Sequence, residues 1–237
     1  MKSAADAILR TEQAAYLDDL HTTGMAALAV LGSTSPAGGP VGARDVLLTR
    51  MEAHAADRGY PISDPEVALL LSILARAAQP KVIVELGTNI GYGAIVLARA
   101  AGPGARVITI EARSELVGQA RGFIEQAGLG HRIDVRHGEA IAELEKIEDP
   151  IDLLYVDCVK EEYPAYLAIA KPKLAARGII VADNVLWRGQ VALDEPLESE
   201  KKRAACLREF NQALVSGTEL CGVVLPLGDG VGLATKI

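Results

Sequence analysis

Basic charge is in short supply in this chain. Against 31 aspartates and glutamates its 237 residues set 24 lysines and arginines, a formal net charge of -7 at pH 7. Affinity for nucleic acid or an anionic membrane rests largely on clustered Lys and Arg, so the balance argues against both partners. The one basic cluster, Lys201-Lys202-Arg203, follows Glu198 and Glu200 and reads as a solvated helix start. Cysteine is scarce as well: Cys158, Cys206 and Cys221 form neither C-x-x-C nor a regular framework, which excludes a disulfide scaffold and fits reduced thiols in a cytosol. Long apolar runs are missing, none approaching the ~18 residues of a membrane span. The apolar stretch from Met25 to Gly32, followed by Ser-Thr-Ser-Pro-Ala-Gly-Gly-Pro, has the outline of a signal peptide, but Asp6, Glu12, Asp18 and Asp19 precede it where a positive flank is required. A cytoplasmic protein is expected.

What is present is apolar and patterned. Half of the residues are hydrophobic, enough for a sizeable core in one large α/β domain with a helical extension. Ile8, Leu9, Tyr16, Leu17, Leu20, Met25, Leu28 and Leu31 recur at helical spacing, predicting one or two amphipathic helices over residues 3–31. Residues 32–42, rich in Gly, Pro and Ser, read as a linker or mobile loop. Helices are expected over 43–58 and 63–78, the second opened by a capping box of Ser63 and Glu66. From Lys81 onward, apolar runs at 82–86, 106–110, 132–136, 151–156 and 178–182 alternate with helix-length segments. That is the pattern of a doubly wound, mostly parallel sheet. Cys221–Leu225 and Val231–Lys236 leave no room for a crossover helix and are expected to pair as an antiparallel hairpin. No internal repeat or second domain is visible. Residues 1–45 are read as an N-terminal helical extension and linker, residues 46–237 as the catalytic domain.

The sheet opens on a chemical feature. Gly87-Thr88-Asn89-Ile90-Gly91 lies where the strand Val82–Leu86 gives way to a helix from Tyr92 to Ala101, an arrangement that presents backbone N–H groups to a ligand. G-x-x-x-G preceded by Glu85 is not the G-x-G-x-x-G of a pyrophosphate site. It points to S-adenosylmethionine, which has no phosphate. Glu111 ends the next strand, about twenty residues on, where a carboxylate can accept hydrogen bonds from both ribose hydroxyls. A nicotinamide dehydrogenase is the competing enzyme reading, but the third glycine is absent.

Ligands of open parallel sheets bind beyond the carboxyl ends of the strands. Two ends are polar: Asp157-Cys158-Val159-Lys160 and Asp183-Asn184. Asp157, Asp183 and Asn184 offer three hard oxygen donors suited to Mg²⁺ or Ca²⁺, and Lys160 is a candidate to take up a proton beside them. Each also has a bland reading, as helix cap or turn residue.

With these motifs in view, residues 60–237 resemble the cation-dependent O-methyltransferases of the caffeoyl-CoA and catechol type, a branch of the class I S-adenosylmethionine-dependent methyltransferases with a Rossmann-like sheet. The segments that carry the resemblance are V-E-L-G-T-N-I-G-Y-G (84–93), I-T-I-E (108–111), V-D-C-V-K-E-E-Y (156–163), V-A-D-N-V-L-W-R-G (181–189), L-R-E-F-N (207–211) and L-P-L-G-D-G (225–230). The resemblance implies that Glu85, Gly87 and Gly91 shape the cofactor pocket and that Glu111 holds the ribose. Thr88, Tyr92, Ala140 and Asp157 complete the cofactor set, with Tyr92 expected over the methionine portion. Asp157, Asp183 and Asn184 would bind the metal, and Lys160 matches the catalytic lysine. Trp187, the only tryptophan, is a candidate wall for an aromatic substrate.

The implied reaction is methylation of one hydroxyl of a vicinal dihydroxy-aromatic molecule, by a homodimer whose N-terminal helices cover the site or join the subunits. Two departures stand out. The family usually shows D-x-D-K where this chain has Asp157-Cys158-Val159-Lys160, and Gly93 stands where many relatives carry Ser. They keep open a metal-independent enzyme, or a fold that binds the cofactor without turnover. Residues 32–42 and 185–199 are the expected selectors of the acceptor.

Overall fold

The computed structural model describes residues 45–237, together with Ala15 and Tyr16. Apart from that helical pair, the helices expected over 3–31 and the loop expected over 32–42 lie outside the described residues.

Among the described residues seven strands, numbered along the chain with the ranges that follow, form one sheet in the order β3-β2-β1-β4-β5-β7-β6. β1 (Val82–Leu86), β2 (Arg106–Glu111), β3 (Ile133–His137), β4 (Ile151–Val156) and β5 (Leu174–Ala182) are parallel; β7 (Val231–Lys236) joins β5 antiparallel, and β6 (Leu220–Leu225) pairs with β7. The doubly wound sheet and its terminal hairpin are thus as expected from the sequence. The two faces follow from the two-residue period of the strands. Val84, Leu86, Ile108, Ile110, Leu154 and Val156 meet the helices Ala140–Glu145, Tyr163–Lys173 and Lys201–Ser216. Ile83, Val107, Leu153, Tyr155 and Val181 meet the helices Val46–Arg58, Pro65–Ala78, Tyr92–Ala101 and Ser114–Gln126 on the other side. Both faces are covered, which is why the strands read as continuous apolar runs.

Two local expectations change. β5 begins at Leu174 rather than 178, directly after the helix ending at Lys173, because its first residues pass through a register irregularity opposite Ile151 and a positive φ of 63° at Arg177 before the regular ladder starts. The capping box of Ser63 and Glu66 is not formed. The helix starts at Pro65 with Asp64 as its N-cap and no side-chain cap bond. Pro65 presets the helical φ and has no N–H to satisfy. Ser63 Oγ instead pairs with the hydroxyl of Tyr155 at 2.8 Å, across the sheet face.

The hairpin at the end of the chain has a positioning role. Val185 N donates to Gly230 O at 2.9 Å, Leu186 N to Asp229 O at 3.0 Å and Arg188 N to the Asp229 carboxylate at 2.5 Å. The turn between β6 and β7 therefore clamps the segment that leaves β5. Positive φ values at Asn184, Trp187 and Arg188 show how tightly that segment is coiled.

Candidate active site at the carboxyl ends of the strands

A cavity of about 640 Å³ opens beyond β1, β2, β4 and β5. Gly87, Glu111, Asp157, Lys160, Asp183, Asn184 and Trp187 all line it, so residues spread over one hundred positions of sequence share one space. Glu85, Thr88, Gly91, Tyr92 and Ala140 are not in its lining.

The glycine turn is shaped by sterics. Gly87 has φ +100°, and a Cβ there would overlap the backbone oxygen of Asp157. Four of the five amides of the turn are engaged within the protein rather than offered to the cavity as its sequence suggested. Gly87 N and Thr88 N donate to Ile110 O at 3.0 and 3.1 Å, Gly91 N to Thr88 O at 2.8 Å, and Asn89 N to Glu111 Oε2 at 2.9 Å. The turn thereby fixes the end of β2, and with it the Glu111 carboxylate, whose second oxygen accepts from Arg113 N at 3.0 Å. Glu111 is thus an oriented acceptor at the cavity wall.

Glu85 is buried behind this surface. Its Oε2 accepts from Thr109 Oγ1 at 2.5 Å, Thr109 pairs with Thr88 Oγ1 at 2.6 Å, and burial pushes the carboxyl up to about 8. Tyr92 is likewise buried, its hydroxyl on Glu52 at 2.9 Å, and does not face the cavity where the methionine portion of a cofactor was expected. Ala140 begins the helix after β3 without reaching the lining.

The polar ends of β4 and β5 converge. Lys160, 6 % exposed, donates from Nζ to Asp157 Oδ1 at 2.7 Å. Asp183, 3 % exposed, is pushed up to about 7, first by burial and then by the negative charge of Asp157. Asn184 turns its N–H onto Asp183 Oδ1 at 2.7 Å and its amide nitrogen onto the same oxygen at 3.3 Å. Two crowded carboxylates and an amide whose nitrogen is engaged are chemically suited to a hard divalent cation, which would relieve their repulsion. Among the described residues no group of three or more His, Cys, Asp or Glu side chains forms a metal cluster; the third donor of this set is an amide.

Trp187 closes the cavity on the far side. Its indole N–H donates to Glu200 at 2.6 Å, and the Arg203 guanidinium stacks at 4.5 Å from the ring while bonding Glu200 and Glu161. Glu161, Asp64 and Arg113 line the cavity without having been singled out in the sequence, and Arg203, expected at a solvated helix start, lines it as well. Nothing in their local pattern separates them from surface charges; only the packing of the helix from Lys201 against the loop after β4 brings Arg203 in. Val159 lies at the lining where a carboxylate is usual, and the space at Gly93 is filled by Glu85 Oε1, which a Cβ would overlap.

An oriented carboxylate at the end of β2, a glycine turn at the end of β1 and polar groups at the ends of β4 and β5 define a nucleoside-cofactor enzyme of doubly wound architecture. Residues 48–237 match the model of a family described as O-methyltransferase. Catechol O-methyltransferase of Niastella koreensis is 32% identical over 205 residues, covering 82% of this chain and 91% of that protein. Caffeoyl-CoA O-methyltransferase of Petroselinum crispum is 30% identical over 179 residues, covering 70% and 73%. The O-methyltransferase of Bacillus cereus, solved in complex with SAH, superposes with a TM-score of 0.74 at 28% identity over 82% of this chain and 92% of that one. The chain belongs to this O-methyltransferase family and is an S-adenosylmethionine-dependent O-methyltransferase.

Proposed function

We propose that the enzyme depends on a divalent cation and methylates one hydroxyl of a vicinal dihydroxy-aromatic small molecule. The observation that carries this reading is that Asp157, Lys160, Asp183, Asn184 and Trp187 line the same cavity as Glu111. Relatives named for catechol and caffeoyl-CoA support the same acceptor chemistry. Glu111 would hold the ribose, with Gly87 and Asp157 against the rest of the cofactor. Asp157, Asp183 and Asn184 would hold Mg²⁺ or a similar ion, which when bound polarises two adjacent phenolic oxygens and lowers their pKa. Lys160 would take up the proton of the hydroxyl to be methylated. Trp187 walls the aromatic ring. Most of the acceleration then comes from holding acceptor oxygen, methyl carbon and sulfur in line.

The test is transfer to a vicinal diol with and without chelator. Excess chelator is expected to abolish turnover and Mg²⁺ to restore it, while S-adenosylhomocysteine still binds. Asp157→Ala is expected to lose turnover as the chelated enzyme does and also to weaken binding of S-adenosylhomocysteine, which Asp157 would touch, and Lys160→Met to lose ~10²- to 10⁴-fold in rate. Full activity in chelator on an acceptor with a single hydroxyl would instead establish a metal-independent methyltransferase. Cofactor binding without turnover across a broad catechol panel would establish a binding protein.

A further inference from the structure

The three donors proposed for the cation are not equally supported by the fold. The side chain of Asp157 is held from within its own loop, by Lys160 three residues on, while its N–H donates to Leu86 O at 2.9 Å. Asp183 is held from three elements. Its Oδ1 accepts from Asn184 N at 2.7 Å, and its backbone oxygen accepts from the Tyr163 hydroxyl at 2.9 Å, a hydroxyl that also reaches Val156 O at 3.2 Å. Its Oδ2 accepts from the hydroxyl of Tyr155 at 3.3 Å, and that hydroxyl pairs with Ser63 Oγ at 2.8 Å. All three members of this chain are buried: Ser63 is 9 %, Tyr155 1 % and Asp183 3 % exposed.

Tyr155 lies on β4, on the face covered by the helices that precede the sheet, among Ile83, Leu153 and Val181. A phenylalanine would fill that position equally well as packing. The hydroxyl is needed only for its two partners, and a buried hydroxyl without partners is costly. Ser63 gives up the helix-capping role that its position suggests in order to meet it.

We propose that Tyr155, backed by Ser63, is a positioning residue that fixes the plane of the Asp183 carboxylate toward the cation site. The inference rests on the cation reading proposed above. Partners that orient a ligating carboxylate commonly carry 10- to 100-fold in metal affinity. By the same geometry Ser63 ties the cation site to the segment entering the helix Pro65–Ala78, whose neighbours Pro61, Ile62 and Asp64 line the cavity.

The experiment is Mn²⁺ titration of the full chain in the presence of S-adenosylhomocysteine, followed by electron paramagnetic resonance, with S-adenosylhomocysteine affinity measured by calorimetry. Tyr155→Phe keeps the ring and removes the hydroxyl; it is expected to weaken Mn²⁺ binding 10- to 100-fold and leave S-adenosylhomocysteine affinity unchanged. Because that variant strands Ser63 Oγ, the double variant Ser63→Ala/Tyr155→Phe guards against a folding defect and is expected to show the same metal loss. Wild-type Mn²⁺ affinity in either folded variant would make Tyr155 a packing residue and overturn the inference while the cation reading stands. Failure of the wild-type protein itself to bind Mn²⁺ would overturn both.

Discussion

At the scale of single residues, Glu85 is a carboxyl fully buried behind the cavity. It sits in E-L-G, and the sequence assigned it to the cofactor pocket, yet its carboxyl is enclosed with Thr109 and fills the space left by the absent side chain of Gly93. The departure from the usual Ser at 93 and the burial of Glu85 are therefore one feature: with the carboxyl so placed, no side chain fits at 93. Burial raises this carboxyl from 4.5 to about 8, so between those values the folded protein binds a proton that the unfolded chain releases. Stability from this group is fully present below pH 4.5 and is lost as pH rises toward 8. At about 1.36 kcal/mol per unit, the loss is on the order of 5 kcal/mol. Glu85→Gln, which keeps an acceptor for Thr109 and cannot ionise, is expected to be the more stable protein at pH 8 and to have the flatter melting temperature profile between pH 5 and 8. Parallel profiles for the two proteins would show that Glu85 is charged in the fold.

At the scale of elements, the loop after β5 depends on the hairpin that closes the chain. Asn184 and Trp187 both belong to it, and Asp229 receives N–H groups of Leu186 and Arg188 through its backbone and side chain. The motif L-P-L-G-D-G was legible as part of the family pattern, but its partner was not, because 41 residues separate Arg188 from Asp229. Asp229→Ala removes the side-chain acceptor and is expected to cost about 1 kcal/mol in stability. Its larger effect is expected at the acceptor side of the site, a several-fold rise in acceptor KM with S-adenosylhomocysteine affinity unchanged. Trp187 is the sole tryptophan and lines the cavity, so its emission reports the same loosening as a red shift. Unchanged emission and KM would remove the clamp from the account. The misread capping box belongs to this scale too. Ser63 and Glu66 have the right spacing, but a distant hydroxyl on β4 competes for Ser63 and wins.

At the scale of the whole molecule, large apolar side chains stand exposed on the first two helices of the described domain. Val46 is 82 % exposed and Ile73, on the helix Pro65–Ala78, 63 % exposed, while the sequence before Asp45 carries an apolar stripe at helical spacing. We propose that residues 1–42 cover apolar surface on the domain or on a second subunit, in a homodimer. Deleting residues 1–42 is expected to lower the mass measured by light scattering toward that of one chain, or to reduce solubility, and to diminish activity. A truncated protein that keeps its assembly, solubility and full turnover would count against that role. No helix among the described residues is long and apolar enough to cross a membrane.

What the sequence determined by itself is local or periodic. Apolar runs buried on both faces gave five parallel strands, the short Pro-Leu-Gly-Asp-Gly connection gave the hairpin, and a glycine turn with an acid one strand later gave the side proposed for the cofactor. These follow from chain geometry over a few residues. The tertiary structure alone decided which groups each carboxylate meets. The amides of the glycine turn face Ile110 and Glu111, Tyr92 faces Glu52, Arg203 faces Trp187, and Ser63 faces Tyr155. Such pairings join residues far apart in the chain, and the competition for a buried donor is settled only when the sheet brings all candidates within hydrogen-bonding distance.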